Sequence, residues 1–195
     1  MKSGTVMLAI IAAVSVGTFA ANQLFLAKPY VPPEFSLSRI KGAELAQSIV
    51  NLSEESLTNL EKIGVYDRQG NSSAALVLIA KEVVKNRQTR ERAIALSSQL
   101  EKMAQTIDMI KPTRARILAT EAVSSEVALV SRLVAFNDYL LSLFETLRAK
   151  FQKPDASVDD KIVEFTGKIN EEVRAINDFN RRFNNSLAEF DKVFK

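Results

Sequence analysis

The sequence predicts an all-helical protein built as an elongated antiparallel up-down bundle of four helices, the first one shorter, behind an N-terminal transmembrane or signal helix. Three observations carry this. Apolar residues recur at spacings of three and four over most of the chain. With 6 Gly and 5 Pro in 195 residues, the many tight turns of a sandwich or barrel have no material. A single uncharged run, residues 5–27, is long enough to cross a bilayer.

That run, TVMLAIIAAVSVGTFAANQLFLA, would span about 30 Å as a helix. Lys2 precedes it, which predicts a cytoplasmic N-terminus with the remainder outside. Tyr30 follows where aromatic side chains favour the interface. Two readings fit. Residues 1–27 form a retained anchor, or the small pair Thr18 and Ala20 marks a cleavable signal peptide that leaves a secreted or periplasmic protein. The apolar character that resumes at Leu24 to Leu26 favours the anchor. No other stretch reaches 18 apolar residues, so one span is expected.

Residues 28–35, KPYVPPEF, hold three prolines in five positions and predict a stiff extended stalk of about 25 Å. Residues 36–195 form the extracytoplasmic bundle. Its first helix starts at Ser36 or Ser38, carries Leu37, Ile40, Leu45, Ile49, Leu52, Leu60 and Ile63 inward, and stops at Gly64. The second opens at Asn71, Ser72 or Ser73 and runs to Pro112, with Leu76, Ile79, Val83, Ile94, Leu100 and Met103 as core. The third, from Thr113 to Phe151, has two apolar stripes and is therefore covered on two sides. The fourth, opened by Ser157, carries the row Ile162, Phe165, Ile169, Val173, Ile176, Phe179, Phe183, Leu187, Phe190 and Phe194.

Composition removes whole classes of chemistry. Without Cys or His there is no thiolate, no imidazole base, no Ser-His-Asp triad and no His-ligated metal. The adjacent acidic pairs Glu54-Glu55, Asp159-Asp160 and Glu171-Glu172 point about 100° apart on a helix and do not converge. No glycine-rich phosphate loop or EF-hand spacing is present. The expectation is a non-enzymatic chain with no cofactor and no metal. Apart from Lys2 and Lys28, 24 basic residues face 23 acidic ones, so no nucleic-acid partner is expected.

Two constellations remain. Apolar positions lapse between Val84 and Ala93, and counting from the turns puts Arg87, Arg90, Asp138 and Glu171 or Glu172 at one level. They read as a polar layer fixing register or holding a small anion, or as a solvated face. Lys111, Arg114 and Arg116 cluster at the turn before the third helix, which the topology places beside the membrane. They read as a lipid contact or an ordinary solvated turn. The functional expectation is a membrane-anchored structural or protein-interaction module of the cell envelope, docking a protein partner or a second copy of itself. The alternative is a ligand-sensing or solute-binding bundle with a pocket between helices.

Overall fold

The structure, a computed structural model, describes residues 29–153 and 157–195. It is all-helical: α1 (Pro33–Arg68), α2 (Ser72–Thr106), α3 (Thr113–Gln152) and α4 (Ser157–Lys192), with one 3-10 turn at Ile107–Met109. No strand occurs among the described residues. The expected span over residues 5–27 lies outside them. One described helix, α3, is long and apolar enough to cross a membrane by length and composition. It packs against both α2 and α4, yet its second apolar stripe is only partly covered: Val123 and Val130 are buried, Val134 and Leu141 half-buried and Val127 exposed.

Two sequence expectations need correction at α1. It begins at Pro33, inside the expected stalk, and Pro32 caps it without a side-chain hydrogen bond. Proline suits the first helical position because its missing N–H has no partner there anyway. Phe35, assigned to the stalk, is 1% exposed in the core. The helix also runs through Gly64 to Arg68, so at 36 residues it is no shorter than α2 at 35 or α4 at 36. The stop comes at Gly70, whose φ of +69° is the left-handed conformation that favours glycine. There the Asn71 N–H donates to the Tyr66 carbonyl at 2.9 Å and the Gly70 N–H to the Asp67 carbonyl at 3.1 Å. That pairing is a Schellman stop. Asn71 then caps α2, its side chain accepting from the Ala74 N–H at 3.1 Å.

The buried positions follow a stricter rule than the apolar residues do. On α2 they are Ala75, Ile79, Glu82, Asn86, Thr89, Ala93, Leu96, Leu100 and Met103, alternating by four and three. On α3, Ala115, Ala119, Ala122, Glu126, Leu129, Leu133, Phe136, Leu140, Leu143 and Leu147 do the same. On α4, Ile169, Val173, Ile176, Asn180, Phe183, Leu187 and Phe190 repeat it. This is the heptad seam of coiled-coil packing, which keeps one stripe facing its neighbours over many turns. On α3 a second buried row, Val123, Val130, Asn137 and Phe144, lies beside the first, but several apolar residues elsewhere stay out. Leu37, Ile40 and Ile94, expected in the core, are 58%, 52% and 63% exposed, while Ala93 and Leu96 take the inward positions.

Cross-helix contacts fix which segments meet. Asn59 faces Glu82, Glu55 faces Lys85, and Gly42 lies against Leu96. A Cβ at Gly42 would meet Leu96 Cδ1 at 3.5 Å, so α1 and α2 approach closely there. Asn86 meets Asn137, and Arg132 meets Glu172. The start of α1 closes on the end of α4: Arg39 donates twice to Asp191 at 2.7 and 2.8 Å, and Phe35 packs on Phe190 with ring centroids 5.7 Å apart. Phe190 also packs on Phe194 at 5.0 Å. At the other end Lys150 of α3 lies 3.3 Å from Asp67 and 3.2 Å from Asp159, tying α1 and α4 through one cation.

Phe190 is 1% exposed and Phe179 only half-buried, its ring 5.5 Å from the Arg182 guanidinium. Phe190→Ala is therefore expected to cost about 3–5 kcal/mol, and Phe179→Ala about 1–2 kcal/mol, in denaturant unfolding of the purified chain. Equal costs would show that the seam does not set burial.

Candidate functional site

The interruption in α2's apolar pattern, Asn86 to Arg92, is where the interior turns polar. Three consecutive seam positions, Glu82, Asn86 and Thr89, are polar and nearly or wholly buried. Glu82 is 0% exposed. Its Oε1 accepts from Asn59 Nδ2 at 2.6 Å and from Lys85 Nζ at 2.8 Å, and Lys85 reaches on to Glu55 at 2.7 Å. Burial alone would depress the Lys85 ammonium, but its hydrogen bonds to Glu55 and Glu82 outweigh that and hold it above the usual lysine value. Glu82 Oε2, and Ser53 Oγ on α1, are buried without a hydrogen-bond partner among the described residues.

One turn on, Asn86 Nδ2 donates to the Asn137 carbonyl at 2.8 Å and lies 3.3 Å from its Oδ1, while Asn137 Nδ2 donates to the Leu133 carbonyl at 3.0 Å. The first cluster keys α1 to α2, and the second keys α2 to α3. A third contact, Arg132 to Glu172 at 3.5 Å, joins α3 to α4. Each depends on register, because sliding a helix by one residue carries the two partners apart.

Of the residues singled out from the sequence, Arg90 and Asp138 meet at 3.7 Å, both more than half exposed. Arg87 and Glu171 are exposed and are not drawn into that contact, whereas Glu172 is buried. The helical wheel explains the exchange. Asn86 and Thr89 fall on the seam, while Arg87 and Arg90 fall beside it, where long cations reach water. The pattern of lapsed apolar positions marked the right segment of α2. Counting apolar residues alone could not say which of its polar ones turn inward. A heptad count carried through the lapse would have found them.

The sequence reading also missed Glu126. It occupies a seam position of α3 and is 5% exposed. It borders a cavity of about 20 Å³, room for one or two waters. Ala46, Ile49 and Val50 of α1, Leu129 and Leu133 of α3, and Ile176 and Asn180 of α4 complete the lining. Among these no charged group opposes the carboxyl, and burial pushes it up to about 7. No group of three or more acidic residues placed to hold a metal occurs among the described residues.

At the α2–α3 turn, Lys111 and Arg114 are exposed and Arg116 is half-buried. The backbone of Lys111 pairs both ways with Tyr30, N–H to carbonyl at 2.9 and 3.0 Å. The segment expected to be a free stalk is therefore fastened to this turn at Tyr30, and Val31 packs against the core.

Two expectations follow. Removing one partner of the Glu82 cluster leaves the other buried and unsatisfied. Asn59→Leu and Glu82→Leu should each cost about 2–5 kcal/mol, and the double variant clearly less than their sum. A double-mutant cycle on unfolding free energies measures this, and strict additivity would contradict a direct contact. For Glu126, the folded value of about 7 lies above the unfolded 4.5. The folded state thus binds the proton more tightly. Its stabilising contribution is complete below the unfolded value and is lost as pH rises through about 7, up to about 3 kcal/mol. Glu126→Gln should flatten that segment of the stability–pH curve. Parallel curves for parent and variant would show that this carboxyl does not titrate there.

No protein-family model matches the chain, no curated protein matches it, and no solved structure matches it.

Proposed function

We propose that this protein is a single-pass, membrane-anchored module of the cell envelope. Residues 5–27 form the anchor, the N-terminus is cytoplasmic, and the four helices form an elongated antiparallel up-down bundle outside. It has no catalytic role and no cofactor, and works by docking a protein partner or a second copy of itself along its helix faces. The opposed order of Asn59–Glu82 and Glu55–Lys85 between α1 and α2, and of Tyr139–Lys168 and Arg132–Glu172 between α3 and α4, supports the up-down arrangement. The uncharged run and the Lys2 bias support the anchor.

The observation that carries docking is an outward apolar strip. On α2, Arg90 and Ile94 are one turn apart; on α3, Val127, Val134 and Asp138 share a face at intervals of seven and four. The Arg90–Asp138 contact joins the two rows. Ile94 is 63% exposed and Val127 53%, so the strip offers apolar area with an ion pair beside it. The cavity beside Glu126 has room for water rather than a solute, which favours docking over ligand sensing.

The chain has no cysteine, so single introduced ones report cleanly. Gln69→Cys, in the exposed α1–α2 turn, is expected to react with a membrane-impermeant maleimide on intact cells. Reaction only after lysis would reject the outside placement. A photo-crosslinking residue at Ile94 is expected to give a discrete adduct with a partner or a second copy, and one at Gln69 none. Absence of any adduct from Ile94 would reject this docking face.

A further inference from the structure

We infer that the α2–α3 end of the bundle rests on the phospholipid surface, with Lys111, Arg114 and Arg116 against anionic headgroups and Tyr30, Met109 and Ile117 at the apolar boundary. This rests on the anchor reading above and adds a lipid partner for a particular face.

The first argument is a length constraint. The uncharged run ends at Ala27, and Tyr30, three residues later, is hydrogen-bonded both ways to the backbone of Lys111. Three residues extend about 10 Å at most. An anchor ending at Ala27 therefore holds the Lys111 turn within about 10 Å of the point where the chain leaves the hydrocarbon. Headgroups occupy that depth. Had the segment before α1 been free, no such limit would apply, because the bundle could stand off on its stalk.

The second argument is the chemistry displayed there. Tyr30, Met109 and Ile117 are 46%, 48% and 54% exposed. They are interleaved with Lys111, Arg114 and Arg116, and the segment from Ile107 to Arg116 contains one acid, Asp108. Elsewhere at this end Asp191 holds Arg39, and Glu189 holds Lys192 and also feels Arg114, while Glu34 is exposed in the first turn of α1. Basic groups that face water among exposed apolar side chains suit an anionic interface, where Tyr favours the headgroup level and cations are drawn by the surface potential. The contact should weaken with salt.

The test uses the full chain with vesicles of phosphatidylcholine alone or mixed with phosphatidylglycerol. A bimane label is placed at Met109→Cys or, as a control, at Gln69→Cys, and quenching by brominated lipid is read. In mixed vesicles the Met109 label is expected to be quenched several-fold more than the Gln69 label. The excess should fall in K111Q/R114Q/R116Q, whose helical circular dichroism checks its fold. Flotation with phosphatidylcholine vesicles reads the anchor separately. A chain that floats with them, yet shows equal quenching at both labels in mixed vesicles, overturns the lipid contact and leaves the anchor standing. A chain that floats only with mixed vesicles, and only when the three basic residues are present, supports the contact and overturns the anchor. Flotation with neither overturns both.

Discussion

A carboxylate removed wholly from water is tolerable only when hydrogen bonds and an opposite charge replace the solvent it loses. Glu82 stands under that constraint, and the rest of the packing is consistent with a single solution to it. Asn59 has to come from α1, Lys85 from the next turn of α2, and Glu55 has to hold Lys85 from the far side. These four groups meet only when α1 and α2 are in one register. The Asn86–Asn137 contact, one turn further, then locks α3 to the same frame. Apolar seams alone are forgiving. Leu, Ile and Ala can exchange partners after a slide of one heptad at little cost, whereas an unsatisfied buried amide or carboxylate cannot.

The polar contacts are spread along the molecule rather than gathered in one cluster. The ends are closed differently: Phe35, Phe190 and Phe194 stack where α1 begins and α4 ends, and Lys150 bridges Asp67 and Asp159 at the opposite end. Between these clasps, α1 passes over α3 and α4 with a small cavity beside Glu126. A carboxyl with no opposing charge in such a place ties the packing there to pH. In the proposed envelope module, the seam supplies the body and the outward strip and basic turn supply the surfaces that meet partners and lipid.

The all-helical class and the four helices were legible in the sequence because amphipathic spacing and turn chemistry are local. Asn71 and Thr113 mark the starts of α2 and α3 through signals read within a few residues, whereas α2 itself ends at Thr106, short of the expected Pro112. Composition also bounded the chemistry, since absent histidine and cysteine need no structure to be read. The start of α1 was misplaced because proline signals both an extended spacer and a first helical turn, and only the burial of Phe35 separates the two. Gly64 was read as a stop for a similar reason: glycine is required only where φ is positive, and that is Gly70.

What the tertiary structure alone decided is which partners meet the polar side chains inside. Glu82, Asn86 and Asn137 are chemically ordinary surface residues until a partner from another helix satisfies them, and such partners lie 23 to 51 positions away for Asn59–Glu82 and Asn86–Asn137. The same holds for the Tyr30–Lys111 pairing, which turns a presumed spacer into a strap. Local pattern determined the helices and their ends. Long-range hydrogen bonding determined their register and the polar interior, because the desolvation of a polar group depends on what faces it and not on its neighbours in the chain.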